Sequence, residues 1–139
     1  MSVEEILQTD LVTVPPTATA TTISETMASE SVGTVVVVDD GSPLGIVTDR
    51  DLALAITGGT DVPGRDARSF IEDDFETATS DVSVFEALEK MERAQIRRLP
   101  IVDDDGAIRG IVALDDVLVL LSEQFQSAAA IIRAQSPRL

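Results

Sequence analysis

Hydrophobic positions fall into two alternating patterns along the chain. Val84, Ala87, Leu88 and Met91 stand at i, i+3, i+4 and i+7, the spacing that lines one face of an α-helix. Ala20, Ile23 and Met27 keep a similar face in a Thr-rich stretch, where β-branched residues lower helix propensity. Residues 35–38 and 45–47, and again 99–102 and 110–112, are Val- and Ile-rich runs. Each pair is separated by Asp and Gly (Asp39-Asp40-Gly41, and 103–106), which predicts two β-hairpins. Short helical turns are predicted at 3–7 and 67–71, and extended segments at 12–14 and 76–78. Closing helices are predicted at 50–56 and from 115 through Phe125 towards Ile132.

These elements occur in the same order twice. Shifting the chain by 64 residues lays one half on the other, with Glu25 and Met27 on Glu89 and Met91. Val38-Asp39-Asp40 falls on Val102-Asp103-Asp104. After one inserted residue, Asp105, the shift is 65, and Gly45-Ile46-Val47 and Asp51 meet Gly110-Ile111-Val112 and Asp116. The expected organisation is a first repeat over 2–65, including a breaker-rich linker at 57–64. A second repeat covers 66–135 with a helical extension, and 136–139 is a frayed tail. A β-α-β-β-α unit this small leaves one sheet face bare. The expected fold class is therefore α/β (α+β), with the two units packed sheet to sheet under pseudo-twofold symmetry and ligand clefts between them.

Composition then removes most chemistry. Within 139 residues there is no His, Cys, Trp or Tyr, which excludes His and Cys metal ligands, a His base, a Cys nucleophile and disulfides. The formal charge is −15, from 25 acids against nine Arg and the single Lys90. So negative a surface repels nucleic acid and anionic lipid. Fifteen Asp against one Lys suggest a salt-adapted, halophilic source. The longest unbroken aliphatic runs, 117–121 and 128–132, are far short of the roughly 20 residues that span a bilayer. The acidic start lacks the character of a signal peptide, so the expected location is cytoplasmic, away from membranes.

The most informative string is Gly45-Ile46-Val47-Thr48-Asp49-Arg50-Asp51-Leu52, at a strand end running into a helix. Thr48 and Asp51 have the spacing of a capping pair, a common local device. The same geometry suits a ligand: a helix N-terminus and the Thr48 hydroxyl can face a phosphate, with Arg50 offsetting the local acids. The Asp51 carboxylate can accept from both hydroxyls of a ribose.

Together with Val35-Val36-Val37-Val38-Asp39-Asp40-Gly41, and with Ile96-Arg97-Arg98-Leu99-Pro100-Ile101-Val102-Asp103 in the second copy, this string resembles the cystathionine-β-synthase (CBS) domain. The resemblance covers about 2–121. It implies a CBS pair, or Bateman module: a non-catalytic sensor that binds AMP, ADP, ATP or S-adenosylmethionine between its repeats and commonly forms homodimers through its helices. It further implies Thr48 at the phosphate, Asp51 at the ribose, Thr13 and Val14 beside the adenine, and Val36 and Val37 as apolar walls. In the second copy Asp116 keeps the ribose position, and Thr77, Ala78 and Pro100 match the base surroundings. Arg98 is within reach of a phosphate, while Ala113 replaces the hydroxyl. One competent site centred on Asp51 is expected, with a second that is weak or altered. The single cleft supplies little positive charge, which favours AMP or a ligand with an uncharged tail over ATP. No cofactor is required, and an unknown effector protein is expected to read the signal.

Other features have plainer readings. Asp103-Asp104-Asp105-Gly106 fails EF-hand spacing, since Ile101 would hold the first ligand position, and it reads as a hairpin turn. Met27 and Met91 read as core or dimer packing. Phe125, Ala128, Ala129 and Ile132 form an apolar side suited to a dimer, a partner or the module's own core. The rival to the sensor is a dimeric scaffold with decayed ligand sites. An enzyme is disfavoured because no nucleophile, base or metal cluster is framed.

Overall fold

The computed structural model describes residues 1–59, 61–72 and 75–136. Helix α1 (Ala20–Glu30) starts where Thr19 Oγ1 accepts the Thr22 N–H at 3.2 Å. Its repeat mate α3 (Val84–Ala94) starts where Ser83 Oγ accepts the Glu86 N–H at 3.1 Å. Both end on a left-handed residue, Ser31 and Gln95 (φ 56° each), whose N–H returns to the last turn. The helix predicted over the Thr-rich stretch therefore forms, capped at both ends by local hydrogen bonds.

Each repeat carries a three-stranded sheet. Strand β1 (Thr13–Val14) runs parallel to β2 (Thr34–Asp39), which pairs antiparallel with β3 (Ser42–Thr48). Strands β4 (Ala78–Thr79), β5 (Arg98–Val102) and β6 (Ile108–Ala113) repeat that order. Even the bulge recurs, at Val37/Val38 and at Ile101/Val102. The extended segment predicted at 76–78 is displaced, since β4 holds only its last residue. Asp40 (φ 51°) and Gly41 (φ 82°) make a two-residue turn in the first hairpin. In the second, Asp103 Oδ1 accepts the N–H groups of Asp105 and Ala107, both at 2.9 Å. That carboxylate is occupied in closing the turn.

Alternation along the central strands divides the two sheet faces. Val35 and Val37 pack with Ile23, Met27 and Val47 in one core, and Leu99 and Ile101 with Val84, Ala87, Met91 and Val112 in the other. Both methionines are core residues. Val36 and Pro100, on the opposite faces, are also almost fully buried. Two glycines explain how the repeats approach. A Cβ on Gly45 would stand 2.7 Å from Ile71 Cβ, and one on Gly110 would stand 2.6 Å from the Gln8 carbonyl oxygen. Neither has a positive φ, so close approach is what requires glycine there.

The repeats also exchange their first turns. The 3₁₀ turn Val3–Ile6 buries Val3 in the second core, and its counterpart Ala67–Phe70 buries Ala67 in the first. Matched hydrogen bonds hold them: Val3 N–H to Val82 O at 3.3 Å, and Ala67 N–H to Ala18 O at 2.7 Å. The repeating unit of the sequence is thus offset from the packing unit. Part of the expected linker is ordered too, since the Thr21 N–H donates to Pro63 O at 3.2 Å.

Helix α2 (Asp49–Ala55) runs into a 3₁₀ turn, Ile56–Gly58. Helix α4 (Leu114–Gln135) is 22 residues, about 33 Å at 1.5 Å per residue. By length and average apolarity it is large enough to cross a bilayer, which corrects the expectation drawn from unbroken runs alone. Its first turns nevertheless bury Val117 and Leu120 in the second core. Beyond them Phe125 (75% exposed) and Ile132 face outwards. Of the expected tail, Ser136 donates its N–H to Ile132 O at 3.0 Å, and 137–139 lie outside the described residues.

Candidate functional site

Where the bare faces of the sheets meet, two clefts open, related by the same pseudo-twofold as the repeats. The first has a volume of about 370 Å³ and brings Asp51 and Ile46 against Arg98 and Pro100 of the other repeat. Its remaining wall includes Phe70, Glu72, Phe75 and Glu76, from the segment joining the repeats. The second, about 240 Å³, is the counterpart: Gln8, Leu11 and Val12 replace Glu72, Phe75 and Glu76, and Val36 and Ile111 replace Pro100 and Ile46. The first cleft has the volume of a small-ligand pocket, and the second is tighter. A groove of about 390 Å³ on the helical side, between Ala20, Leu52, Ile56 and Pro63, is mainly apolar, with Thr21, Ser24 and Glu25 also in its lining.

Position 51 is held by local chemistry. Thr48 Oγ1 accepts the Asp51 N–H at 3.2 Å, and Asp51 Oδ2 accepts the Thr48 N–H at 2.9 Å, a complete capping box. The box aims a half-buried carboxylate along the cleft wall and occupies one of its two oxygens. The wall opposite is fixed as well. Arg65 donates to Ser69 Oγ and Ser69 O at 3.2 and 3.1 Å, and its guanidinium stacks 4.2 Å from the Phe70 ring. Glu76 pairs with Lys90 at 3.6 Å.

In the second cleft the same carboxylate is differently engaged. Ala113 offers no side-chain cap, and Asp116 instead accepts a hydrogen bond from Gln8 Nε2. Arg97 is drawn to Asp115 at 3.2 Å. Its neighbour Arg98 lines both clefts.

The structure regroups the expected residues. Asp51, Arg98 and Pro100 share one cleft, whereas Val36 lines the other. Val14, Val37 and Ala78, expected beside a base, point into the helix-side cores and line neither cleft. Burial on the other sheet face is the physical reason. Thr13 sits in register with Val36 but is exposed, Thr77 precedes β4, and Arg50 is exposed outside both linings. Residues unforeseen in the sequence are Gln8, Asp10, Leu11, Thr34, Glu72, Phe75, Glu76, Gln95 and Ile96. The signal for several of them was the repeated glycine. Gly45 and Gly110 each have another segment close over them, at Ile71 and at Leu7-Gln8 respectively.

The CBS domain family model matches residues 3–58 and again 67–123. The CBS domain-containing protein YhcV of Bacillus subtilis is 36% identical over 122 residues, 85% of this chain and 84% of that protein. Uncharacterized protein MK0525 of Methanopyrus kandleri is 38% identical over 120 residues, and the match spans 61% of that longer protein. Among solved structures, the CBS domain pair of protein MJ0100 has a TM-score of 0.77 at 23% identity. It covers 89% of this chain and 98% of that one, and was solved with 5-methylthioadenosine and S-adenosyl-L-methionine. Repeated sequence, exchanged turns and paired sheets agree with these matches, and the chain belongs to the CBS domain family.

Proposed function

We propose that the chain is a regulatory rather than catalytic module that binds an adenosine-containing ligand in the Asp51 cleft. AMP is favoured over ADP, ATP and S-adenosylmethionine. The supporting observation is the capped Asp51 carboxylate, facing Arg98 and Pro100 across a cleft of about 370 Å³. The fold shared with a CBS pair solved with two adenosine compounds agrees with this. A ribose donates to the free Asp51 oxygen, the base lies against Ile96 and Pro100, and a monophosphate meets Arg98. Both repeats contribute to the wall, so a bound ligand favours one packing of the repeats over others. An effector protein reads that change. The exposed Leu54, Ile56, Phe85 and Leu118 on the helical side support a homodimer.

Thermal unfolding at fixed ionic strength with AMP, ADP, ATP and S-adenosylmethionine tests this. At a hundred times Kd one site adds about 2.7 kcal/mol, a shift of several degrees. The shift is expected with AMP and is lost in Asp51→Asn, which retains an acceptor for Thr48. The second cleft favours a rival reading. With its hydroxyl replaced by Ala113 and one carboxylate oxygen held by Gln8, it has features of a decayed site in a scaffold. No shift with any of the four ligands overturns the sensor and leaves the scaffold.

A further inference from the structure

The two clefts hold matching places in the repeats, and carboxylates border both. The first is lined by the carboxylates Asp51, Glu72 and Glu76, the second by Asp10 with Asp116 beside it. Among the described residues lining either cleft, one cation occurs, Arg98, and it borders both. Its pseudo-twofold mate is Thr34, which lines the second cleft alone. The adjacent Arg97 is engaged by Asp115, and Lys90 by Glu76.

We infer that Arg98 is a single counter-charge shared by two sites, so that the module holds one phosphorylated ligand at a time. This rests on the nucleotide reading above and adds a charge rule to it. A guanidinium donates its hydrogen bonds in one planar fork, which serves one phosphate well. A nucleoside monophosphate in either cleft draws the side chain to itself. The other cleft then presents carboxylates alone to a second phosphate, with the first phosphate as a further like charge nearby. An uncharged nucleoside makes no demand on Arg98, so both clefts accept it independently, with unequal affinities. The selectivity therefore concerns charge: phosphorylated ligands compete across the two clefts, and neutral ones do not.

Calorimetric titration of the full chain at fixed ionic strength, with adenosine and with AMP, reads this directly. The unmodified chain is expected to take two equivalents of adenosine and one of AMP. Arg98→Gln is expected to weaken AMP about tenfold or more and adenosine far less. Thr34→Arg supplies the missing second cation and is expected to raise AMP to two equivalents. Two AMP sites in the unmodified chain, one adenosine equivalent, or AMP binding indifferent to Arg98→Gln would each overturn the shared cation. An adenosine signal remains in all three cases, so the nucleotide reading survives them. Loss of both signals in the unmodified chain defeats that reading and the shared cation with it.

Discussion

The two clefts began as one design and differ now in how each holds its aspartate. At Asp51 a hydroxyl on the same helix turn shares the work, and the carboxylate keeps an oxygen for a visitor. At Asp116 the hydroxyl is gone, and a glutamine from the other end of the chain holds one carboxylate oxygen. A conserved-looking residue type at a repeated position therefore says little by itself. What matters is which neighbour holds it: at 51 one oxygen is fixed by the backbone N–H of its own helix turn, and at 116 one oxygen is held by a side chain from another segment.

That contrast can be broken first at its glycines, where the largest effects are expected. Gly110→Ala drives a methyl group against the Gln8 backbone carbonyl, which has nowhere to move without shifting the segment. It is expected to cost about 2–3 kcal/mol, with Gly45→Ala, which meets the Ile71 side chain, costing less. Denaturant titration of both variants measures the difference. Next comes ligand affinity: Asp51→Ala is expected to weaken AMP by about 1.5–3 kcal/mol, and Asp116→Ala by much less, in paired titrations. Smaller is the cap itself. Thr48→Ala is expected to lose about 1 kcal/mol of stability. Ala113→Thr gains only part of that back, since Gln8 competes for Asp116.

The smallest effect lies outside the clefts, at Glu4. Hydrogen bonds from Arg109 and Ser80 hold its carboxyl below the usual carboxylate range. A lowered folded-state pKa means the stabilisation is complete above the ordinary Glu range and is lost as pH falls through the lowered value. Glu4→Gln is therefore expected to flatten slightly the acid side of a melting-temperature profile, and to do nothing at neutral pH beyond removing a surface pair.

Much of this architecture was legible from spacing alone. The 64-residue shift gave the order of elements, and Val84, Ala87 and Met91 gave a core face that the structure keeps. The ligand positions of Val14 and Val37, by contrast, came from the family resemblance alone, and alternation along β1 and β2 turns both side chains into the helix-side core. The pairing of Asp51 with Arg98 and Pro100 was hidden for a different reason. It arises from a symmetry operation between repeats, and no local pattern encodes that. Gly45 and Gly110 carried the clue, as places where the chain has removed its own side chain to admit a stranger.

The exchanged turns bear on ancestry and on engineering. A single-repeat polypeptide would present a core missing one wall and a Val3 or Ala67 with no home of its own. It could complete itself only by trading that piece with an identical neighbour. Tandem fusion makes such a trade permanent and intramolecular, after which the halves are free to diverge, as Thr48 and Ala113 have done. Severing the chain between the repeats should consequently yield two fragments that remain clasped, each wearing the other's first turn.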